Sequence, residues 1–156
     1  MKYEHLVEVN DAANPLVAAL TREELWFGLL CRAEDPRPFL PGLEACEIVE
    51  RSETGLSRVL RFGQAVIRDQ VSFEAMAWVR FESAATAEHA GGSLTISIEE
   101  PQAGALFLRF SYLTTLPEGA GSAEGQYAEF VKSAYRESDI DTVRVIRMIA
   151  ESSRLQ

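Results

Sequence analysis

A long run of strand-like segments, followed by one long amphipathic helix, limits the folds open to this chain. No helical period appears between Leu43 and Thr115, and turn residues divide this stretch into segments typical of β-strands. The predicted strands are residues 43–51, 55–62, 65–74, 76–83, 93–99 and 105–115. Consecutive strands joined by short turns favour an antiparallel meander. Such a sheet has to bury one face, so a second layer must cover it.

Two more elements precede the meander. Residues 2–9 alternate between two faces, which predicts a half-buried strand whose inward side carries Tyr3, His5, Val7 and Val9. Thr21 and Glu24 have the spacing of a capping box and predict a short helix that ends before Asp35. Prolines at 36, 38 and 41 leave room for at most one further turn of helix. The predicted order is therefore strand, one or two short helices, and then the six-stranded meander.

The last predicted element is a helix from about residue 122 to 152, with Ser122 as its N-cap. At 1.5 Å per residue it is about 45 Å long, so we expect it to lie across the sheet. One sector of this helix holds an apolar stripe: Tyr127, Val131, Ala134, Tyr135, Val145 and Ile149. Three polar residues fall in the same sector: Ser138, Asp141 and Thr142. Charged residues occupy the opposite sector, which indicates an amphipathic helix with its apolar side on the sheet.

Composition limits the classes of partner. The chain has 156 residues, of which 47% are apolar, and we expect one domain spanning residues 1–156. A net charge of −9 disfavours binding to nucleic acid or to anionic lipid surfaces. No apolar run is long enough for a membrane span, and charges near Met1 disfavour an export signal, so we expect a cytoplasmic protein. Cys31 and Cys46 are then expected to be reduced and to pack as small hydrophobic residues.

The sequence predicts neither a metal site nor a cofactor. It contains no C-x-x-C pair and no H-x-x-x-H motif. Of its two histidines, His5 lies on the inward side of the first strand and His89 is expected in a solvated loop. Glycines at 119, 121 and 125 lie between a strand and a helix, but their spacing and the antiparallel sheet do not fit a dinucleotide-binding loop.

The order of elements resembles the helix-grip fold of the START-like (SRPBCC) superfamily, which includes the birch pollen allergen. Residues 25–36 (LWFGLLCRAEDP) and 39–42 (FLPG) resemble its AtaL-like branch, as do residues 134–136 (AYR) and 139–143 (DIDTV). The resemblance covers essentially the whole chain. It implies an α+β fold in which a seven-stranded curved antiparallel sheet wraps around the C-terminal helix. It also implies a cavity for a hydrophobic small molecule, but it brings no catalytic residue set with it.

Geometry also predicts a cavity, because a twisted and curved sheet cannot touch a straight helix everywhere. We expect its wall to combine inward strand residues with the inner sector of the last helix. The residues predicted to bind a ligand there are His5, Ile67, Asp69, Val71, Phe73, Phe110, Tyr112, Tyr127, Val131, Tyr135, Ser138, Asp141 and Thr142. The ligand classes that the resemblance implies are lipids, polyketides and aromatic molecules.

Three residues are candidates for acid–base chemistry in this cavity: Asp69, Asp141 and His5. A buried carboxyl with a raised pKa could transfer protons, and a histidine could do so beside a positioned carboxylate. The alternative for Asp69 is a structural ion pair with an arginine of a neighbouring strand: Arg58, Arg61 or Arg80. The alternative for His5 is a hydrogen-bonded core residue. For the polar residues of the last helix, the alternative is simple satisfaction by protein groups or water.

Three functions follow from these features. The first is binding of a hydrophobic small molecule without chemistry. The second is an enzyme of the polyketide cyclase or dehydratase kind that uses Asp69, Asp141 or His5. The third is a homodimer or partner-binding module that uses Ile140 and Val143, which are predicted to be exposed on the outer side of the last helix.

Overall fold

The computed structural model describes residues 1–87, 91–116 and 123–156. The elements in chain order are β1 (Lys2–Glu8), α1 (Arg22–Glu34), β2 (Ala45–Ser52), β3 (Gly55–Phe62), β4 (Ala65–Glu74), β5 (Trp78–Ser83), β6 (Gly92–Gln102), β7 (Ala105–Thr114) and α2 (Ala123–Arg154). Each predicted strand and helix is present close to its predicted bounds. Two predictions, Ser122 as a helix cap and His89 as a solvated residue, lie outside the described residues.

The seven strands form one antiparallel sheet in the order β1-β7-β6-β5-β4-β3-β2. Strands β2 to β7 therefore form the predicted meander, and β1 pairs with β7, with His5 opposite Phe110. Irregular pairing interrupts the register between Ile48 and Glu50 and between Glu99 and Gln102. Such bulges bend a strand and increase its twist. Within the described residues, no helix has both the length and the apolar character that a membrane crossing requires.

Both helices cover the same face of the sheet, which we call the inner face. Alternate residues of the central strands point to it, and several of them are fully buried: Val79, Ile96, Leu108 and Phe110. From α1, Leu25 and Leu29 have no exposed surface and join the same core. The outer face of the sheet carries charged and hydroxyl side chains. This division agrees with the period-two pattern of the strands.

The capping box predicted for α1 is present. The hydroxyl of Thr21 accepts a hydrogen bond from the amide of Glu24 at 3.0 Å, and Glu24 accepts one from the amide of Thr21 at 2.9 Å. Arg154, near the end of α2, donates to the carboxylate of Glu24 at 2.6 Å. The same acidic residue therefore closes the start of one helix and holds the end of the other.

The buried side of α2 differs from the predicted one by about one residue, or roughly 100° of rotation. Its buried residues are Ala128, Asp139, Thr142, Val143, Ile146 and Ala150. Tyr127, predicted to face inward, is 54% exposed, and Val143, predicted to face outward, is buried. The reason is that α2 packs against α1 as well as the sheet, with Ile146 directly over Gly28. Ile140 is exposed, as predicted.

Candidate functional site

A buried carboxylate on α2 connects two strands at the inner face. The hydroxyl of Tyr112, on β7, donates a short hydrogen bond to Oδ1 of Asp139. Nδ1 of His5, on β1, lies 3.0 Å from Oδ2 of the same carboxyl group and donates to it when it carries the ring proton. Asp139 is only 1% exposed, whereas the His5 side chain is 21% exposed. The carboxyl group therefore orients an imidazole that remains in partial contact with solvent.

Aromatic rings surround this hydrogen-bonded group. The rings of Tyr112 and Tyr135 are stacked, with centroids 3.8 Å apart and planes 5° apart. Tyr3 lies next to both rings, at 6.2 Å from Tyr112 and 6.4 Å from Tyr135. Arg136 donates to the hydroxyl of Tyr3 at 3.0 Å. These contacts pack three aromatic rings beside the hydrogen-bonded group.

Burial determines the ionisation of this group. Desolvation raises the pKa of Asp139, although hydrogen bonds from Tyr112 and His5 act in the opposite direction. Desolvation also raises the pKa of Tyr112 well above its ordinary value, and the charge of Asp139 adds to that shift. Desolvation is also the main cause that raises the pKa of Tyr135. Both phenols therefore stay protonated near neutral pH, and the hydroxyl of Tyr112 acts as a hydrogen-bond donor.

A second buried polar group lies between β3, β4 and α1. The guanidinium of Arg58 binds both oxygens of Asp69, with Nε donating at 2.9 Å and Nη2 at 2.6 Å. Nη1 of Arg58 also donates to the backbone carbonyl of Ala33 at 3.0 Å. Both charged side chains are less than a tenth exposed. This arrangement is a structural ion pair that holds α1 against the sheet. Such a pair was the predicted alternative to an acid–base role for Asp69.

Arg32, on α1, lies close to this pair. It is buried, and burial lowers the pKa of its guanidinium. Its Cζ lies 4.8 Å from the centre of the Phe81 ring, and the Cζ of Arg58 lies 5.0 Å from the same centre. The Nε of Arg32 has no hydrogen-bond partner among the described residues. Among the described residues, this buried cation therefore forms no ion pair of its own, although the charges of Asp139 and Asp69 act on it.

Beside Tyr112 and Tyr135, the space between sheet and helix opens into a cleft of about 180 Å³. It lies on the inner face at the end of β5, β6 and β7. Its lining residues are Phe81, Ser83, Gly91, Gly92, Ser93, Leu94, Tyr112, Thr114 and Tyr135. We call it the tyrosine cleft. Gly92 contributes no side chain here, and a Cβ at this position would lie 2.2 Å from the backbone oxygen of Leu113, so only glycine fits.

The structure brings together only some of the predicted site residues. His5, Tyr112 and Tyr135 meet around Asp139, and two of them, Tyr112 and Tyr135, line the tyrosine cleft. Asp141 was expected to face the interior, and this is wrong. Its side chain is exposed and forms an ion pair with Arg144 on the surface of α2. Asp141 therefore lies outside the sheet–helix interior, because the buried side of α2 is rotated.

The remaining predicted lining residues have other surroundings. Phe110 and Val71 are buried in the hydrophobic core, and Phe73 packs edge-on against Trp26 at 5.9 Å. Thr142 is buried, but its hydroxyl donates to the backbone carbonyl of Ser138 at 3.0 Å. Three others do not line the tyrosine cleft: Ile67, Val131 and Tyr127. Their suggested role in ligand binding remains a prediction.

Sequence reasoning missed four contributors to the interior: Asp139, Arg32, Phe81 and Leu94. One signal could have identified Asp139, because Tyr135 and Asp139 are four residues apart and must share a helix face. Arg32 gave no signal, since its position in the last turn of α1 is also typical of a solvated basic residue that interacts with the helix dipole. Phe81 and Leu94 follow the inward parity of their strands.

The two thiols lie apart from this site. Burial is the main cause that raises the pKa of Cys31 and of Cys46. Both are free cysteines and half-buried. Among residues 1–87, 91–116 and 123–156, no group of three or more His, Cys, Asp or Glu side chains is placed to hold a metal ion.

Residues 7–153 match the model of the family AtaL, described as acetylaranotin biosynthesis cluster protein L. This match spans nearly the whole chain and includes most of the residues of the site. The chain belongs to the AtaL family. A search among curated proteins returned no match. The predicted resemblance to the AtaL-like branch is therefore confirmed.

Solved structures with low sequence identity share the fold of this AtaL-family protein. The ZhuI aromatase/cyclase from Streptomyces sp. R1128 is 16% identical, has a TM-score of 0.65, and the match covers 100% of this chain and 96% of ZhuI. StfQ, a di-domain ARO/CYC from the steffimycin biosynthetic pathway, is 12% identical with a TM-score of 0.72, over 99% of this chain and 52% of StfQ. Human STARD10 is 7% identical with a TM-score of 0.67, over 99% of this chain and 66% of STARD10. These matches confirm the helix-grip fold.

Proposed function

We propose that this protein binds a small aromatic or other largely apolar molecule in the tyrosine cleft. The observation that carries the proposal is the position of the cleft: it lies on the inner face, against the stacked rings of Tyr112 and Tyr135, next to the hydrogen-bonded Asp139. Sites of this kind combine apolar walls with a few polar groups that orient the ligand. The relatives described as aromatase/cyclases support an aromatic or polyketide-like ligand.

The size of the cleft limits the ligand. Its volume of about 180 Å³ is smaller than the roughly 300–1,000 Å³ of typical ligand pockets. A bicyclic aromatic molecule can be accommodated, whereas a longer one has to extend past Gly92 towards solvent. Flat rings are favoured because Phe81 and Tyr135 offer faces and edges for stacking.

Filling the cleft provides the test. Leu94→Trp adds a large side chain at the wall of the cleft, and Leu113→Trp is the matched control because Leu113 is 58% exposed on the outer face of the same sheet. Calorimetric titration with 2-acetonaphthone should show binding to the wild type and to Leu113→Trp, and at least tenfold weaker binding to Leu94→Trp. Equal affinity of all three proteins, or no binding to the wild type, would refute the proposal.

A second candidate function is acid–base catalysis of the cyclase kind. The observation that favours it is the contact between Nδ1 of His5 and Asp139 at 3.0 Å, which leaves the other ring nitrogen available as a general base. In such a reaction His5 takes a proton from the carbon between two carbonyl groups. The resulting enolate attacks a further carbonyl carbon of the same molecule, and the new alkoxide receives the proton back.

Proton exchange tests this candidate without knowledge of the natural substrate. We expect the protein to accelerate deuterium exchange at the central carbon of 1-(2-naphthyl)butane-1,3-dione in heavy water, measured by NMR. His5→Gln should abolish the acceleration, and Asp139→Asn should reduce it at least tenfold by disturbing the orientation of the imidazole. An acceleration that His5→Gln retains would exclude His5 as the base.

A further inference from the structure

Among the described residues, the guanidinium of Arg32 is a buried charge without an ion pair of its own. Arg32 is 6% exposed, and its Nε has no hydrogen-bond partner among the described residues. The Phe81 ring, 4.8 Å from its Cζ, offers a cation–π contact but no acceptor oxygen. A buried charge without a partner costs several kcal/mol, so such a residue is a poor choice for stability alone.

The carboxylates near Arg32 are already engaged. Both oxygens of Asp69 accept hydrogen bonds from Arg58. Both oxygens of Asp139 are taken as well, one by Tyr112 and one by His5. Among the described residues, Arg32 takes part in none of the ion pairs found. Among the described residues, Arg32 therefore has no hydrogen-bonded carboxylate, although the charges of Asp139 and Asp69 act on it without direct contact.

Arg32 does not itself line the tyrosine cleft but lies next to one of its lining residues. Phe81 contacts its guanidinium and at the same time forms part of the cleft wall. Asp139, which accepts the hydrogen bond of the wall residue Tyr112, also acts on the charge of Arg32. An anionic group at the inner end of the cleft would thus lie near a buried guanidinium that has no hydrogen-bonded carboxylate among the described residues.

We infer that Arg32 is an anion-binding residue, and that the ligand of the tyrosine cleft carries a single carboxylate on an apolar or aromatic body. This inference rests on the proposed binding function and specifies its ligand class. A carboxylate matches the fork of a guanidinium in shape and charge. A dianionic phosphate is a poorer match, because the second nearby cation, Arg58, is already bound to Asp69.

The test compares two ligands of similar shape and different charge: 2-naphthoate and the neutral 2-acetonaphthone. Calorimetric titration of the wild type at pH 7.5 should show at least about tenfold tighter binding of 2-naphthoate. Arg32→Met should bind both molecules with similar affinity, and Arg32→Lys should retain part of the preference. Arg37→Met is the matched control, because Arg37 is an exposed arginine that pairs with Asp35, and it should keep the full preference.

Thermal unfolding without ligand separates binding from structure. If Arg32 serves ligand binding, Arg32→Met should unfold at the same or a higher temperature than the wild type, since it removes an unpaired buried charge. A lower melting temperature together with a retained preference for 2-naphthoate would show a structural role and overturn the inference.

Two further outcomes distinguish this inference from the proposed function. Equal affinity of the wild type for 2-naphthoate and 2-acetonaphthone would overturn the role of Arg32 and leave binding in the cleft intact. Absence of binding by either molecule would overturn both.

Discussion

Asp69 and Asp139 are both buried at the inner face, but their surroundings differ in charge. A guanidinium neutralises Asp69, whereas Asp139 is held by a phenol and an imidazole. Removal of the Asp69 charge leaves a buried cation without its partner, and removal of the Asp139 charge does not. The two carboxyl groups should therefore respond differently to substitution and to pH.

Asp69→Asn should lower the free energy of unfolding by about 3–5 kcal/mol, because Arg58 would remain buried and unpaired. Urea denaturation measures this change. Asp35→Asn is the control, since the pair of Asp35 with Arg37 is exposed and should contribute less than about 1 kcal/mol. If both substitutions lowered the free energy of unfolding by the same small amount, the buried pair would not hold α1 on the sheet.

The stability contributed by Asp139 should decrease as the pH rises. Burial raises the pKa of this carboxyl group in the folded protein above its unfolded value of about 3.9, so the folded state binds the proton more tightly. The advantage of the wild type over Asp139→Asn should therefore be greatest below about pH 4 and decline as the pH rises through the raised pKa. Denaturation of both proteins between about pH 3.5 and 8 measures it. A difference that grows with pH would contradict the direction of this shift.

At the scale of the elements, Glu24 links the start of α1 to the end of α2. The pKa of Glu24 is lowered from 4.5 to about 2. The larger cause is its hydrogen bond with Arg154, and the next is its hydrogen bond with the amide of Thr21. Glu24→Gln keeps the capping geometry but removes the ion pair, so it should cost about 1 kcal/mol at pH 7. The lowered pKa means that the ion pair stabilises the folded protein at pH values above the unfolded pKa of Glu24. The cost of Glu24→Gln should therefore disappear as the pH falls from 4.5 to about 2.

Denaturation midpoints of wild type and Glu24→Gln across this pH range give the measurement. Arg154→Gln introduced into Glu24→Gln should cost no more than the loss of the remaining hydrogen bond from Arg154 to the backbone carbonyl of Ala19. An undiminished cost at pH 2 would mean that capping, rather than the ion pair, is responsible.

The crossing of α1 and α2 depends on a glycine. A Cβ at Gly28 would lie 2.5 Å from Cγ2 of Ile146, so the helices could not keep their present distance. Gly28→Ala should destabilise the protein by about 1–3 kcal/mol, despite the better helix propensity of alanine. In a double-mutant cycle measured by urea unfolding, Ile146→Ala should relieve part of this cost. Additive effects would show that Gly28 and Ile146 do not compete for space.

The rotation of α2 was not predictable from hydrophobicity alone. Its buried side includes two small alanines and the polar Asp139 and Thr142, while Tyr127 and Met148 are exposed. Hydrophobicity alone therefore does not decide which sector of this amphipathic helix is buried. Its orientation depends on two surfaces at once, the sheet and α1, and only the assembled structure combines them.

At the scale of the whole molecule, charge acts against the inferred ligand. The net charge of −9 repels a carboxylate over a long range, while Arg32 attracts it at short range inside the protein. Salt screens the first effect much more than the second. The affinity for 2-naphthoate should therefore rise by about twofold between 20 and 200 mM sodium chloride. Calorimetric titration measures this, and weaker binding at high salt would indicate a surface site instead.

The sequence by itself determined the elements and the inward side of each strand. Period-two alternation predicted that His5 and Asp69 point to the inner face, because a strand between a core and solvent has only two sides. The capping box predicted the start of α1 for an equally local reason. These features depend on residues close together in the chain.

Only the tertiary structure decided which of these side chains meet. His5 and Asp139 are 134 positions apart and come together because β1 pairs with β7 under α2. That Arg32 has no hydrogen-bonded carboxylate among the described residues also depends on the whole interior, because Asp69 and Asp139 bind other groups. Long-range packing sets the rotation of a helix and the pairing of buried charges, and local sequence patterns do not contain that information.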